Sequence, residues 1–250
     1  MITLYSSGPM FGLPHPSPFV IKADVLLKMS GLEYRETPMT FSGAPKGKVP
    51  YISDDGMVLG DSYFIRRHLE TKYKIDYSGG YDAEKLALAW AIERMLEEHL
   101  YFLGAYERWL VDENFEKGPR QFFNMAPAPI RPILRVVIRG KVRKMLRAQG
   151  LGRHTAAERL ELGKGDVNSV VALLGNNTYL LGDKICGADA SVFGSLYSAS
   201  SSYFNTELGW PGRAAATSSC ALVTAAPAGP TTRRSTRSSS PRRPISCRRR

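Results

Sequence analysis

The first 185 residues of this 250-residue chain contain no cysteine, and the three that follow, Cys186, Cys220 and Cys247, show no CxxC or Cys/His spacing. The sequence therefore predicts neither a disulfide framework nor a bound metal. It also lacks an apolar run approaching the roughly 18 residues of a membrane helix, and it lacks a basic and then apolar leader. We therefore expect a cytoplasmic protein with no membrane span.

Acidic residues are missing from the C-terminal segment. Residues 209–250 hold nine arginines and no Asp or Glu, in a chain of 34 basic and 23 acidic residues with a net charge of +11, so the rest is nearly neutral. With few large apolar side chains, this segment is predicted to be a disordered basic tail. Our preferred hypothesis is a reading-frame shift after about Ser201. A basic arm for an anionic polymer or surface is the alternative, although the lack of interleaved aromatics makes nucleic acid an unlikely partner.

Residues 1–76 alternate strand and helix signals. Ser17 and Pro18 predict the start of an amphipathic first helix, and Gly31 predicts its end. A hairpin is indicated around Asp54-Asp55-Gly56, and Asp61-Ser62 opens a second helix. The predicted order is β-α-β-loop-β-β-α, which is typical of a mixed sheet covered by helices.

Strand signals stop at about Asp82, and residues 82–205 read as helical. Helical patterns cover Ala83–Trp109, Ile130–Arg147, Thr155–Leu174 and Asp189 to about Ser201. The fold class predicted is therefore an α/β N-terminal domain over residues 1–76 and an all-α domain over 82–205, followed by the basic tail over 209–250.

Three motifs in this order, Ser17-Pro18-Phe19, Lys48-Val49-Pro50 and Asp61-Ser62, resemble the glutathione transferase superfamily over about residues 1–205. Finer features are similar to the branch of the failed-axon-connections and metaxin-related proteins; they include the Pro/Gly-rich loop before Ser17, the run 44–52, the segment 149–154, and Gly182-Asp183 ahead of 188–190. The resemblance implies a thioredoxin-like domain that holds glutathione. A helical domain then helps to shape a pocket for a small electrophile.

Under this resemblance, Ser17 is the candidate catalytic residue. It sits at a helix N-terminus, where its hydroxyl and the helix dipole could both favour a thiolate. One unit of thiol pKa depression needs only about 1.4 kcal/mol. The alternative is that Ser17 serves only as a helix cap, and Tyr5, Ser6 and Ser7 are the back-up candidates for the thiol.

The resemblance also implies the remaining glutathione contacts. The Ser62 hydroxyl and the amides of its helix could bind the γ-glutamyl carboxylate, while Asp61 takes the amino group. The family holds Pro50 in the cis form, and Val49 would pair with the tripeptide in strand fashion. Lys48 or Lys46 could neutralise the glycyl carboxylate, or be a solvated surface lysine.

Departures from the family pattern limit the reactions that we expect of this protein. Neither Ser17 nor Val20 is the cysteine that a redox-active relative would carry, which disfavours thiol-disulfide exchange. Cys186 stands where relatives place the Ser or Thr of a capping box with Asp189. The alternative function is a non-catalytic binding protein of the same fold, and homodimerisation is common in the superfamily.

Several further side chains have no role assigned by the sequence. His15, His68 and His154 show no metal spacing, so we assign no metal. The long helix carries four polar or aromatic residues that would lie near the electrophile pocket, but spacing cannot decide which way they point; these are His99, Tyr101, Tyr106 and Arg108.

Overall fold

The computed structural model describes residues 1–40 and 43–205. The predicted basic tail lies outside these residues, as does nearly all of the proposed frame-shifted segment. The N-terminal elements are β1 Ile2–Ser6, α1 Pro18–Ser30, β2 Tyr34–Pro38, β3 Tyr51–Asp54, β4 Met57–Gly60 and α2 Ser62–Tyr73. Their order is the predicted β-α-β-loop-β-β-α.

The four strands form one mixed sheet in the order β2-β1-β3-β4. Strand β1 runs parallel to β2 and antiparallel to β3, and β3 pairs antiparallel with β4. This is the thioredoxin-like arrangement expected. The β3–β4 turn places Asp55 and Gly56 at φ 47° and 84°, the left-handed pair that a two-residue hairpin requires.

Helix α1 differs from the amphipathic helix predicted. Every residue from Val20 to Leu27 is buried, including Lys22 and Asp24. The reason is that α8 (Gly187–Ala199) covers the face of α1 that would otherwise meet solvent. A Cβ on Gly194 of α8 would lie 2.6 Å from the Pro18 carbonyl oxygen, so glycine is what allows this close approach.

The C-terminal domain is helical throughout the residues described. Its α-helices are α3 Ala83–Met95, α4 Tyr101–Leu110, α5 Asp112–Lys117, α6 Arg131–Gln149, α7 Ala156–Leu174 and α8 Gly187–Ala199, and its short 3₁₀ turns are Pro119–Met125, Ala128–Ile130 and Leu151–Arg153. A further 3₁₀ turn, Pro45–Gly47, precedes β3 in the N-terminal domain. The predicted helix over 83–109 is thus two helices joined by a π-helical turn, Leu96–Leu100. None of the described helices is long and apolar enough to cross a bilayer.

The start of α8 has both halves of a capping box, with the Cys186 sulfur accepting from the Asp189 N–H where relatives have a hydroxyl. Asp189 accepts hydrogen bonds from the backbone N–H of Cys186 and of Leu180, each at 2.8 Å. Burial raises the pKa of Asp189, and these backbone donors oppose the rise. The carboxylate therefore anchors both the helix start and the preceding turn from inside the protein.

A buried charge network joins the two domains. The Lys22 ammonium of α1 lies 2.6 Å from Glu97 Oε1 and 3.2 Å from Glu93 Oε1, and all three side chains are almost fully buried. Ser191 of α8 donates to both glutamates. Arg66 and Arg94 contact their outer oxygens. Among the residues that the structure describes, Lys22 is thus the one cation that contacts both desolvated carboxylates, and it joins α1 to the helical domain.

Replacing this lysine should destabilise the whole protein. Lys22→Met leaves Glu93 and Glu97 buried without their ammonium, and removing one partner of a buried pair costs about 3–5 kcal/mol. Urea unfolding measures this loss. The matched control is Lys117→Met, whose exposed pair with Glu113 is worth about 0–1 kcal/mol. Equal losses in the two variants would contradict the role given to Lys22.

The same network predicts acid lability. Burial alone would raise the pKa of Glu93, but the Lys22 ammonium, the Ser191 hydroxyl and the Arg66 guanidinium together more than reverse this, so its pKa lies below the usual value. A depressed carboxyl pKa stabilises the fold above the unfolded pKa, and that stability is lost as pH falls through the folded value. The stability difference between wild type and Lys22→Met should therefore shrink in acid. A difference that grows as pH falls would refute this assignment.

Candidate functional site

Three chain segments meet at one edge of the sheet. Tyr5, near the end of β1, is paired with Tyr51 at the start of β3, and Tyr51 is paired with Gly60 at the end of β4. The loop that follows β1 leads to Ser17, Pro50 precedes β3, and Asp61 follows β4. The register therefore gathers the three predicted motifs on the same side of the domain.

Ser17 holds the N-cap position of α1 without using its side chain as a cap. Its backbone is extended (φ −99°, ψ 125°) and its carbonyl accepts from the N–H groups of Val20 and Ile21 at 3.1 Å each. The half-buried hydroxyl makes no capping hydrogen bond. The hydroxyl is therefore not used to cap the helix, and it lies beside the partial positive charge of the helix N-terminus.

Asp61 adopts an unusual backbone conformation, φ 83° and ψ 127°. Its N–H donates to the Pro50 carbonyl at 3.0 Å, which ties β4 to the proline segment. Its exposed carboxylate accepts from the N–H of Tyr63 at 2.9 Å. Ser62, the first residue of α2, is buried. Backbone strain of this kind concentrates at ligand sites, where the surrounding structure enforces it.

The Val49-Pro50 bond is cis, as the resemblance implies. Among the described residues no backbone group pairs with the N–H or carbonyl of Val49, so both remain available to an extended ligand. Lys48 is exposed, with no partner in the described part of the chain. The Lys46 ammonium instead lies over the Phe64 ring, 4.4 Å from its centroid.

The back-up candidates at the end of β1 have structural contacts. Ser6 is buried, donates to Glu36 at 3.2 Å and accepts from the N–H of Gly8. The Tyr5 ring stacks on Tyr51 with centroids 4.4 Å apart. Ser7 is half-buried. The Ser6 hydroxyl is therefore engaged in structural hydrogen bonds, whereas the Ser17 hydroxyl makes no capping bond.

A polar cluster beneath the loop before Ser17 was not anticipated from sequence. His15 is buried, with Nε2 3.1 Å from Glu36 Oε1 and 3.9 Å from Asp24 Oδ2. Burial lowers the pKa of His15, while the two carboxylates oppose this. Tyr34 and Lys28 also bind Asp24. The cluster ties the loop to α1 and β2. Its sequence signal is Asp24, the single acidic residue of α1.

The four residues noted on the long helical segment in the sequence analysis point in different directions. His99 pairs with Asp166 at 2.6 Å, and Tyr106 lies under the Arg159 guanidinium. Tyr101 contacts Phe19 at the start of α1, with ring centroids 4.8 Å apart. Arg108 crosses the domain interface and donates to the Pro16 carbonyl at 2.8 Å. Only Tyr101 and Arg108 of these four therefore reach the neighbourhood of Ser17.

One cavity borders the beginning of α1, and a larger cleft borders the loop that precedes it. The cavity, of about 10 Å³, lies between α1 and the helical domain, lined in part by Phe19, Lys22 and Tyr101. The open cleft of about 470 Å³ lies between the loop before Ser17 and the end of α8, lined by Phe11–Leu13, Tyr197 and Ser200–Tyr203. The larger, partly aromatic cleft could accept a small apolar molecule.

This fold and site define a class. Residues 18–114 match the family model for the glutathione S-transferase N-terminal domain, and residues 163–218 match that for a glutathione S-transferase C-terminal domain. The chain therefore belongs to the glutathione S-transferase family.

Relatives support this assignment. The chain is 32% identical over 205 residues to an isoprene-epoxide glutathione S-transferase of Rhodococcus sp. (strain AD45), covering 78% of this chain and 85% of the relative. It is 29% identical over 231 residues to Failed axon connections of Drosophila melanogaster, covering 88% of this chain but only 54% of that protein. A glutathione S-transferase of Ceriporiopsis subvermispora in complex with glutathione shares the fold, with a TM-score of 0.56 at 17% identity over 89% of this chain and 95% of its own.

Two Asp61 variants test whether its helix cap and its unusual backbone conformation affect the stability of the protein. Asp61→Ala removes the cap on Tyr63 N–H and keeps the left-handed backbone, so we expect a loss of about 1–2 kcal/mol in stability. Asp61→Asn preserves the cap and tolerates the backbone, so its unfolding free energy in urea should stay near wild type. Equal losses in both variants would show that neither the cap nor the backbone explains the residue.

Proposed function

We propose that this protein binds glutathione at the sheet edge and conjugates it to a small electrophile. The observation that carries the proposal is the uncommitted Ser17 hydroxyl, at a helix N-terminus that shares one sheet edge with Asp61-Ser62 and with Val49-Pro50. Family membership supplies the ligand class.

Each part of glutathione would have a matching group of the protein at this site. The Ser62 N–H at the start of α2 and its hydroxyl would take the γ-glutamyl carboxylate. Asp61 binds Tyr63 N–H through Oδ1, and its second oxygen remains for the amino group. Val49 offers a free N–H and carbonyl to the cysteinyl unit. Lys48 would pair with the glycyl carboxylate, since Lys46 is occupied by Phe64.

The reaction needs a thiolate at neutral pH. The glutathione thiol loses its proton to water, and the sulfur anion is stabilised by the Ser17 hydroxyl and the α1 dipole. The sulfur then uses an electron pair to form a bond to the electrophilic carbon. That carbon releases its leaving group or, in an epoxide, opens its C–O bond, and the released oxygen takes a proton from water. The protein contributes binding, orientation and anion stabilisation.

The open cleft is the proposed site of the electrophile. It follows the loop that leads to Ser17, and its aromatic wall of Phe11, Tyr197 and Tyr203 suits an apolar molecule. The name of the Rhodococcus relative makes a small epoxide a reasonable first substrate to assay.

A second candidate function is binding without turnover. The observation that favours it is the near closure of the cavity beside Tyr101, about 10 Å³, which leaves no room for a substrate between α1 and the helical domain. Retention on immobilised glutathione, with no conjugation of an epoxide or an activated aryl halide, would identify this alternative.

Two serine variants test the enzyme proposal. Ser17→Ala should lower kcat about tenfold or more while glutathione affinity changes little, because one unit of thiol pKa corresponds to about 1.4 kcal/mol. Ser62→Ala should chiefly weaken affinity, by about five- to tenfold, because it removes a hydrogen bond to a charged group. Isothermal titration and steady-state conjugation kinetics separate the two effects.

The matched control is Ser169→Ala on α7, whose exposed hydroxyl bonds only the Gly165 carbonyl. It should alter neither parameter. Equal and negligible effects of Ser17→Ala and Ser62→Ala would reject the site assignment, and absence of glutathione binding by the wild-type protein would reject the proposed function.

A further inference from the structure

Arg108 of α4 binds the loop that carries Ser17. One guanidinium nitrogen donates to the Pro16 carbonyl at 2.8 Å. The other donates to the carbonyl and to the hydroxyl of Ser198 in α8, each at 2.8 Å. The guanidinium also lies 4.9 Å from the centroid of the Phe204 ring. One side chain therefore fixes the residue before Ser17 against the helical domain.

The charge on Arg108 has no anionic partner in residues 1–40 and 43–205. Its three hydrogen-bond acceptors are neutral oxygens, and no carboxylate of these residues lies within ion-pair distance. Other buried cations of the protein differ: Lys22 contacts two glutamates, and Arg159 lies 3.6 Å from Glu107. Arg108 is thus a positive charge at the domain interface that the described residues leave without a carboxylate counter-ion.

Burying a guanidinium without a counter-ion costs free energy unless a bound anion interacts with its charge. Burial lowers the pKa of Arg108 to about 10, which still leaves the guanidinium protonated at neutral pH. A desolvated and unpaired charge is unfavourable in a folded protein and is more often found at functional sites than in structural ones. An anion bound next to Pro16 would supply the missing counter-charge.

We propose that Arg108 is the positioning residue of the thiolate site: it holds the Pro16–Ser17 segment in place and its positive charge stabilises the glutathione sulfur anion. This inference rests on the proposed function. A planar group with several donors suits the position, because three acceptors on two domains must be held at once.

The test measures the ionisation of bound glutathione. Thiolate absorbance in the ultraviolet is followed against pH at saturating glutathione, in wild type and in Arg108→Gln. We expect the variant to raise the pKa of the bound thiol by about one unit, which is about tenfold less thiolate at a pH below the pKa. Affinity for S-methylglutathione, which carries no ionisable sulfur, should stay within about twofold, since the removed charge acts on the sulfur anion.

Arg108→Lys separates the charge from the hydrogen bonds. Lysine retains the cation but cannot span both Pro16 and Ser198, so the thiol pKa should stay close to wild type while kcat falls. This variant also carries the test if Arg108→Gln does not fold. The control is Arg159→Gln, which loses its contacts to Glu107 and the His154 carbonyl; it should lower the melting temperature without moving the thiol pKa.

Two results would overturn the proposal. One is a thiol pKa in Arg108→Gln equal to that of wild type, or a thiol pKa in Arg108→Lys that rises although the cation is retained. The other is a parallel loss of affinity for glutathione and S-methylglutathione with a lowered melting temperature, which is the signature of a purely structural role. Failure of wild type to bind either tripeptide would instead refute the proposed function, and this inference with it, so the two failures are distinguishable.

Discussion

The burial of α1 from Val20 to Leu27 is the constraint on which the rest of the structure depends. Because the sheet covers one side of this helix and α8 the other, its N-terminus cannot move without disturbing both domains. Gly194 permits the close contact, and Lys22 compensates for the two glutamates that meet the helix from the second domain. The consequence is a rigid helix end at the sheet edge, and such rigidity is what lets weak polar groups act on a bound sulfur.

The sequence predicted local structure better than it predicted partners. Proline, glycine and capping residues marked both ends of α1, the start of α2 and the hairpin turn, because these signals act within a few residues. It did not show that α1 is buried on all sides, since this depends on α8, more than 150 residues further along the chain. Arg108 was noted on the long helix, but its direction depends on how that helix packs. The sequence pattern alone does not give the orientation of this helix against its neighbours.

The proposed site combines groups that are each ordinary. A serine at a helix start, an aspartate before a helix and a backbone segment beside a proline occur in many proteins. Their meaning comes from the strand register, which brings all three to one edge, and from membership in the glutathione S-transferase family. The cavity beside Tyr101 is nearly closed, so an electrophile would have to enter through the aromatic cleft next to the loop before Ser17. Turnover therefore depends on whether that cleft admits the electrophile.

A crystal structure of the protein with glutathione tests the central claim most directly. The account predicts the sulfur within hydrogen-bond distance of the Ser17 hydroxyl, about 3.5 Å or less, and the γ-glutamyl carboxylate at the first turn of α2. A tripeptide bound in another orientation or at another place would contradict the proposed chemistry and leave only the shared fold.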